Sequence, residues 1–301
     1  MRHGAGIRVY ERFIDDLSHS FRPDAWYINT INMAYHVHSA KRLGVPVVGH
    51  VHEISHLLYQ DVSALDMGTL VQYARLLLCG SGQVRDELSV MGANRVEVLY
   101  PPVDLAALRP DPARAQELRR QWGIDDTDFV WLMSGTPIYR KGLDLIPAIA
   151  RLLPPRTHLI WTGGIAIPNA SFFLVQKQLE REGRGNVHFV GAQTTDYANY
   201  LAAANGFVLT SREEAFGMVN IEAAYLGKPI VAFDAGGVRE IMTPGMGIIV
   251  PLGHVPGLVE AMKAVMDGTY AFDPAAARAR ALDFSSDRLV GEWERIMSGF
   301  L

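Results

Sequence analysis

The chain has 301 residues, 49% of them hydrophobic and 20% charged, which is enough for two domains of about 100–200 residues each. Its net charge of −4 excludes a global basic surface of the kind that holds nucleic acid. Cys79 is the only cysteine, so no intrachain disulfide can form, as suits a reducing compartment.

In chain order, the first segment places Tyr10, Phe13, Ile14 and Leu17 on one helical face. Short apolar runs rich in valine and isoleucine follow at 25–28, 46–51, 76–79 and 96–99. A proline-rich stretch, LYPPVDLAALRPDPARA, intervenes and predicts a connection between domains over 101–128. Six more runs follow, at 129–134, 158–162, 187–190, 206–210, 229–233 and 247–250. Most are continuous rather than alternating, the pattern of parallel strands covered on both faces. Helix-period segments separate them: Leu143, Ile146, Ile149 and Ala150 share one face, and Leu289, Trp293 and Ile296 share another in a last helix over 287–297. Alternation of this kind predicts an α/β protein built from doubly wound sheets, with four strands in the first half and a full nucleotide-binding unit of six in the second.

The densest chemical signal is TSREEAFGMVNIEAAYLGKPIVA, residues 210–232. It places Glu214 in the loop after a strand, Gly217 at a helix start and Glu222 inside the helix, which stops at Gly227. A helix start offers unpaired N–H groups and partial positive charge, which suits a diphosphate. A carboxylate one to two turns into the helix can accept from ribose hydroxyls, and one before the helix can reach a sugar hydroxyl or a developing positive charge. Two glutamates at arbitrary spacing would otherwise be a solvated surface pair. Here the order Glu214, Phe216, Gly217, Glu222, Ala223 resembles the signature of glycosyltransferase family 4 (group 1), a retaining family, with Ala215 in place of the commoner glycine.

The resemblance continues in GTPIYRKGLDLIPAIARLL, residues 135–153, which is similar to the family's phosphate-binding turn. It implies that Gly135 and Lys141 meet the donor phosphates. Thr136 stands where the family often has arginine, and Arg140 beside Lys141 offers the second positive charge. DAGGVREI matches a Gly-Gly-x-x-Glu turn at Gly236, Gly237 and Glu240, while GIIVPLGH ends on His254 in place of the usual aspartate. In VPVVGHVHE, His52 falls where the family has a cleft-facing histidine; a structural role for it stays open, and His50 and His56 are taken as bystanders.

The resemblance implies a GT-B type fold: two Rossmann-like doubly wound domains facing a cleft, the N-terminal one incomplete. The domains expected are 1–105, with a C-terminal helix 285–301 packing back on it, and 106–284 for the nucleotide sugar. The implied reaction is retaining transfer of a sugar from a nucleoside diphosphate sugar to a hydroxyl of a glycan, a lipid-linked or a small-molecule acceptor. Glu214, His52 and Lys141 are the implied catalytic groups. Gly135, Arg140, Lys141, Phe216, Gly217, Met218, Val219 and Glu222 are the implied donor contacts. No cofactor or metal is expected, because fixed positive charge meets the leaving diphosphate; Asp126-Thr-Asp128 has metal-motif spacing but precedes a strand instead of following one.

A donor-binding subunit that works with a partner, and a sugar-nucleotide epimerase on the same fold, remain as alternatives. The earliest strands of a doubly wound sheet lie near its middle. The shortfall in the first half is therefore expected to remove interior pairings, which a second copy or a partner chain could supply, and to leave donor binding stronger than transfer. The start, MRHGAGIRVYERFIDD, lacks the apolar core of a signal peptide, and no apolar run approaches the ~18 residues of a membrane span. A cytoplasmic protein is expected, with contact at the inner membrane face left open.

Overall fold

The computed structural model describes residues 2–53, 62–165 and 170–300, and within 2–11 the backbone alone. His56 and the side chain of Tyr10 lie outside the described residues. The chain divides into two compact units, residues 1–101 with 289–301, and residues 102–288.

Unit 1 holds strands β1 (Trp26–Asn29), β2 (Val47–Val51), β3 (Leu76–Cys79) and β4 (Val96–Val98), with helices α1 (Arg2–Phe21), α2 (Val37–Leu43), α3 (Ala64–Tyr73) and α4 (Gly82–Val90). The sheet order is β1-β2-β3-β4, all parallel. β2 and β3 are buried along their whole length, β3 as an unbroken apolar run and β2 with Gly49 and His50 among its valines. Four strands were expected here and four are found, pairing consecutively in chain order. Among the described residues the sheet has no internal break, and β1 pairs on one side only. The apolar face expected of α1 is only partly covered, since Phe13 and Leu17 are exposed.

Unit 2 begins with α5 (Pro112–Gln121) and continues through β5 (Phe129–Ser134), α6 (Ile146–Leu152), β6 (Thr157–Thr162), α7 (Ala170–Arg181), β7 (Val187–Gly191), α8 (Tyr197–Ala203) and β8 (Gly206–Leu209). Then come α9 (Met218–Tyr225), β9 (Ile230–Phe233), α10 (Val238–Ile241), β10 (Gly247–Val250), α11 (Val255–Met266), α12 (Pro274–Leu282) and α13 (Ser286–Ser298). The sheet order is β10-β9-β8-β5-β6-β7, again parallel throughout. The chain starts in the middle at β5, winds outward to β7, then returns to the other side of β5 at β8. The gap between the carboxyl ends of β5 and β8 is the topological switch point, where doubly wound sheets place ligands. The core packs Leu143, Ile146, Ile149 and Ala150 of the 143–152 segment with Trp131, Phe233, Leu258 and Met262.

Two boundaries differ from expectation. Residues 101–128 are not a bare connection: Asp111 accepts from Ala113 N and Pro112 occupies the first helical turn, a cap-and-proline start that builds α5. Val103 N donates to Phe284 O (3.0 Å) and Ser286 N to Val103 O (3.1 Å). These bonds tie residues 102–105 and 285–288 into unit 2, moving the division from 105/106 and 284/285 to 101/102 and 288/289. From Leu289 onward α13 belongs to unit 1, where Ile296, with Met297 and Phe300, packs on Val48, Leu76, Leu78 and Leu99. Ile296→Ala should therefore lower the stability of unit 1 by about 2–5 kcal/mol in urea denaturation. A loss under about 0.5 kcal/mol, as at a surface position, would show that the helix end does not serve as core.

Candidate functional site

At the switch point of unit 2, β5 ends in Ser134 and runs into the turn at Gly135, and β8 ends at Leu209 before the loop that leads to α9. Backbone packing joins these two loops. Thr210 Oγ1 donates to Lys141 O (2.7 Å), and Arg212 N donates to Arg140 O (2.8 Å). Gly142 has φ 79, and a Cβ there would fall onto the Thr210 carbonyl oxygen, so only glycine fits this approach. The diglycine turn closes from the other side. Gly237 N donates to Glu214 O (3.1 Å), and a Cβ on Gly236, φ 57, would overlap that same carbonyl oxygen.

The side chains follow from this frame. Lys141 Nζ and Glu214 Oε2 form an ion pair at 2.5 Å, both side chains nearly buried, and Ser211 Oγ donates to the same Oε2 at 3.1 Å. Arg140 donates from Nη1 to Glu213 O (3.1 Å). Trp161 Nε1 donates to Gly135 O (2.7 Å), which orients the peptide at the start of the turn. Gly217 is the N-cap of α9, followed by exposed Met218 and half-buried Val219. The Phe216 ring is buried edge-to-face against Phe284, at 5.2 Å between centroids, so what Phe216 offers a ligand is its backbone. Glu222, one turn into α9, accepts from the Tyr197 hydroxyl at 2.9 Å. Burial pushes its carboxyl pKa up, and the Tyr197 hydrogen bond pulls it part of the way back.

Gly135, Arg140, Lys141, Glu214, Phe216, Gly217, Met218, Val219 and Glu222 thus all lie on the β5 turn or the β8–α9 segment of one unit. His52 belongs to unit 1, just beyond β2. Its Nε2 meets Asn29 Oδ1 at 2.7 Å, and its backbone N donates to Glu53 Oε2 at 3.0 Å. Glu53 also accepts from Thr30 Oγ1. His50, expected to be a bystander, is its close neighbour: the two rings lie 4.0 Å apart, and the Tyr27 hydroxyl meets His50 Nδ1 at 2.7 Å. Burial, then the neighbouring His52, lowers the His50 pKa to about 3, and burial lowers that of His52. Both rings are neutral near pH 7.

Sequence reasoning missed three groups. Tyr197 gave no signal because its partner Glu222 is far along the chain. Arg212 straps the two loops together, forking onto Asp144 (2.8 Å at each oxygen), donating to Tyr139 O (2.7 Å) and lying 3.9 Å over the Tyr139 ring. Asn220 is fully buried in the first turn of α9, and its amide has no hydrogen-bond partner among the described residues. Asp128, of the discounted Asp126-Thr-Asp128 pair, is buried and held by Arg156 (2.7 Å) and His158 (3.1 Å) at the opposite end of the sheet, a structural ion pair. Among the described residues no group of three His, Cys, Asp or Glu side chains is placed to hold a metal ion. No helix among them is long and apolar enough to cross a membrane.

A six-stranded parallel sheet with a basic turn and a helix N-terminus at its switch point, and a second unit with a parallel sheet of its own, are the components of a GT-B glycosyltransferase. Residues 114–280 match the family model of the glycosyl transferases group 1, and the chain belongs to that family. It is 30% identical over 294 residues to a glycogen synthase of Mycobacterium tuberculosis, covering 92% of this chain and 66% of that protein. It is 28% identical over 300 residues to D-inositol 3-phosphate glycosyltransferase 1 of Catenulispora acidiphila, covering 86% and 69%. The chain thus spans about two-thirds of the length of these relatives. In structure it is similar to Anabaena Alr3699/HepE, solved with UDP and glucose (TM-score 0.84, 22% identity, 95% of this chain and 81% of that one). Sucrose-phosphate synthase from Thermosynechococcus elongatus is similar as well (TM-score 0.82, 20% identity, 97% and 77%).

The buried histidines generate a pH dependence with a definite sign. The folded pKa of His50, about 3, lies below the ordinary 6.5. Below pH 6.5 the unfolded chain therefore takes up a proton that the folded chain refuses, and stability falls with pH down to about 3. His50 alone supplies at most about 1.4 kcal/mol per pH unit in that window. Denaturation at pH 7.5 and 5 should show the loss, and His50→Gln should reduce it; an unchanged pH slope in the variant would show that His50 titrates normally.

Proposed function

We propose that the protein transfers a sugar, with retention at the anomeric carbon, from a nucleoside diphosphate sugar to a hydroxyl of a glycan, lipid-linked or small-molecule acceptor. The observation that carries the reading is the convergence of Arg140, Lys141, Glu214 and the α9 N-terminus on one switch point. The HepE complex with UDP and glucose points to UDP-glucose as the first donor to test.

In this reading the diphosphate lies against the N–H groups at Gly217–Val219, where the helix start favours negative charge. Lys141 and Arg140 offset the charge that grows on the leaving group as the bond from the anomeric carbon to phosphate breaks. The Lys141–Glu214 ion pair is then exchanged: Lys141 turns to phosphate, and the released Glu214 accepts from a hydroxyl of the transferred sugar. Each of these two buried charges keeps a partner in both states, so neither is stranded. Glu222 accepts from the ribose. The acceptor oxygen bonds to the anomeric carbon as the diphosphate departs, and the acceptor proton leaves with it. Rate enhancement in this scheme is electrostatic and positional.

Because fixed cations stabilise the leaving group, donor turnover should survive a chelator, and the released or transferred sugar should first appear with the donor's own anomeric configuration. Nuclear magnetic resonance of the product from UDP-glucose measures both. Product of inverted configuration would overturn retention. Activity abolished by chelator and restored by magnesium or manganese would overturn the metal-free scheme.

A further inference from the structure

We infer that Tyr197 is a positioning residue for nucleotide recognition, holding the Glu222 carboxylate ionised and oriented toward the ribose. The inference rests on the donor-site reading above and adds to it a residue from a different part of the chain. Tyr197 opens α8, which follows β7, whereas Glu222 lies on α9, which follows β8; the fold joins them at 2.9 Å. The phenol has a single proton, and donates it to Glu222 Oε2.

The physical need for such a donor is plain. Glu222 is largely buried, and burial favours its protonated form. A protonated carboxyl has less acceptor capacity for a ribose diol and can turn its own O–H toward the ligand. One hydrogen bond to the ionised form opposes this and costs only one of about four acceptor positions. Oε1 and the remaining lone pair of Oε2 stay available. The bond also selects a rotamer, because Oε2 cannot leave Tyr197 without stranding it. The phenol stays protonated throughout, since burial and the adjacent Glu222 hold its pKa well above the ordinary value.

Calorimetric titration with UDP and with inorganic pyrophosphate, at pH 5.5 and 8, separates positioning from bulk structure. Tyr197→Phe should weaken UDP by about three- to tenfold at pH 8, the range of one hydrogen bond. The loss should be larger at pH 5.5, where the variant's Glu222 is more protonated, and pyrophosphate should be unaffected. In a Glu222→Ala background the same substitution should cost less than twofold, because the group it serves is gone. A Tyr197→Phe variant within twofold of wild type at both pH values, while Glu222→Ala loses affinity, overturns this inference and leaves the donor-site reading standing. Equal losses for UDP and pyrophosphate would mark Tyr197 as a packing residue and also overturn it. If neither the wild-type chain nor any variant binds a nucleoside diphosphate, the donor-site reading fails, and the role of Tyr197 fails with it.

Discussion

The site depends on backbone lying directly on backbone. The Glu214 carbonyl is met by the diglycine turn, and the Thr210 carbonyl by Gly142; neither approach leaves room for a side chain. These contacts bring the turn after β5, the loop after β8 and the turn after β9 to fixed positions at the same end of the sheet. Lys141, Glu214 and the start of α9 inherit their placement from it. Any Cβ at Gly236 or Gly142 would have to push a strand-end loop outward, and the charges would move with it. Positions with φ near 57 and 79 add a conformational penalty for other residues. Arg212 braces the same junction with side-chain bonds, stacking on Tyr139 and forking onto Asp144.

Electrostatics then follows from burial. Lys141 and Glu214 are each about nine-tenths shielded and neutralise one another. A buried charge without a partner is costly, which is why a pair that can be exchanged for phosphate and sugar contacts is a workable arrangement, and a lone lysine would not be. Glu222 is under the opposite strain: burial favours its neutral form, and Tyr197 opposes that. In unit 1 the His50 and His52 rings touch, and desolvation keeps both neutral.

Much of this was legible in the residues, for physical reasons. The ten strands among the described residues all lie within a residue or so of the apolar runs, because parallel strands covered on both faces favour continuous apolar sequence. The β8–α9 segment was legible because Glu214, Gly217 and Glu222 follow one another closely along a single strand end, loop and helix. What escaped notice was set by long-range packing. Tyr197 meets Glu222 only because α8 and α9 are brought together by the return of the chain from β7 to β8. The neighbourhood of His50 and His52 is an i, i+2 relation that places both rings on one face, a signal that neither histidine carries by itself. The 101–128 segment was misjudged because its prolines outweighed the Asp111-Pro112 helix start. The order of strands in unit 1 rests on pairing, which composition does not encode.

The central claim is that the turn after β5 presents its lysine to a diphosphate. The direct measurement is isothermal titration of wild type and Lys141→Ala with a nucleoside diphosphate and with the matching nucleoside. A charge-assisted contact of about 1.5–3 kcal/mol predicts a loss of at least tenfold for the diphosphate in the variant, with the nucleoside affinity unchanged. An equal loss for both ligands, or undiminished diphosphate affinity, would contradict the account.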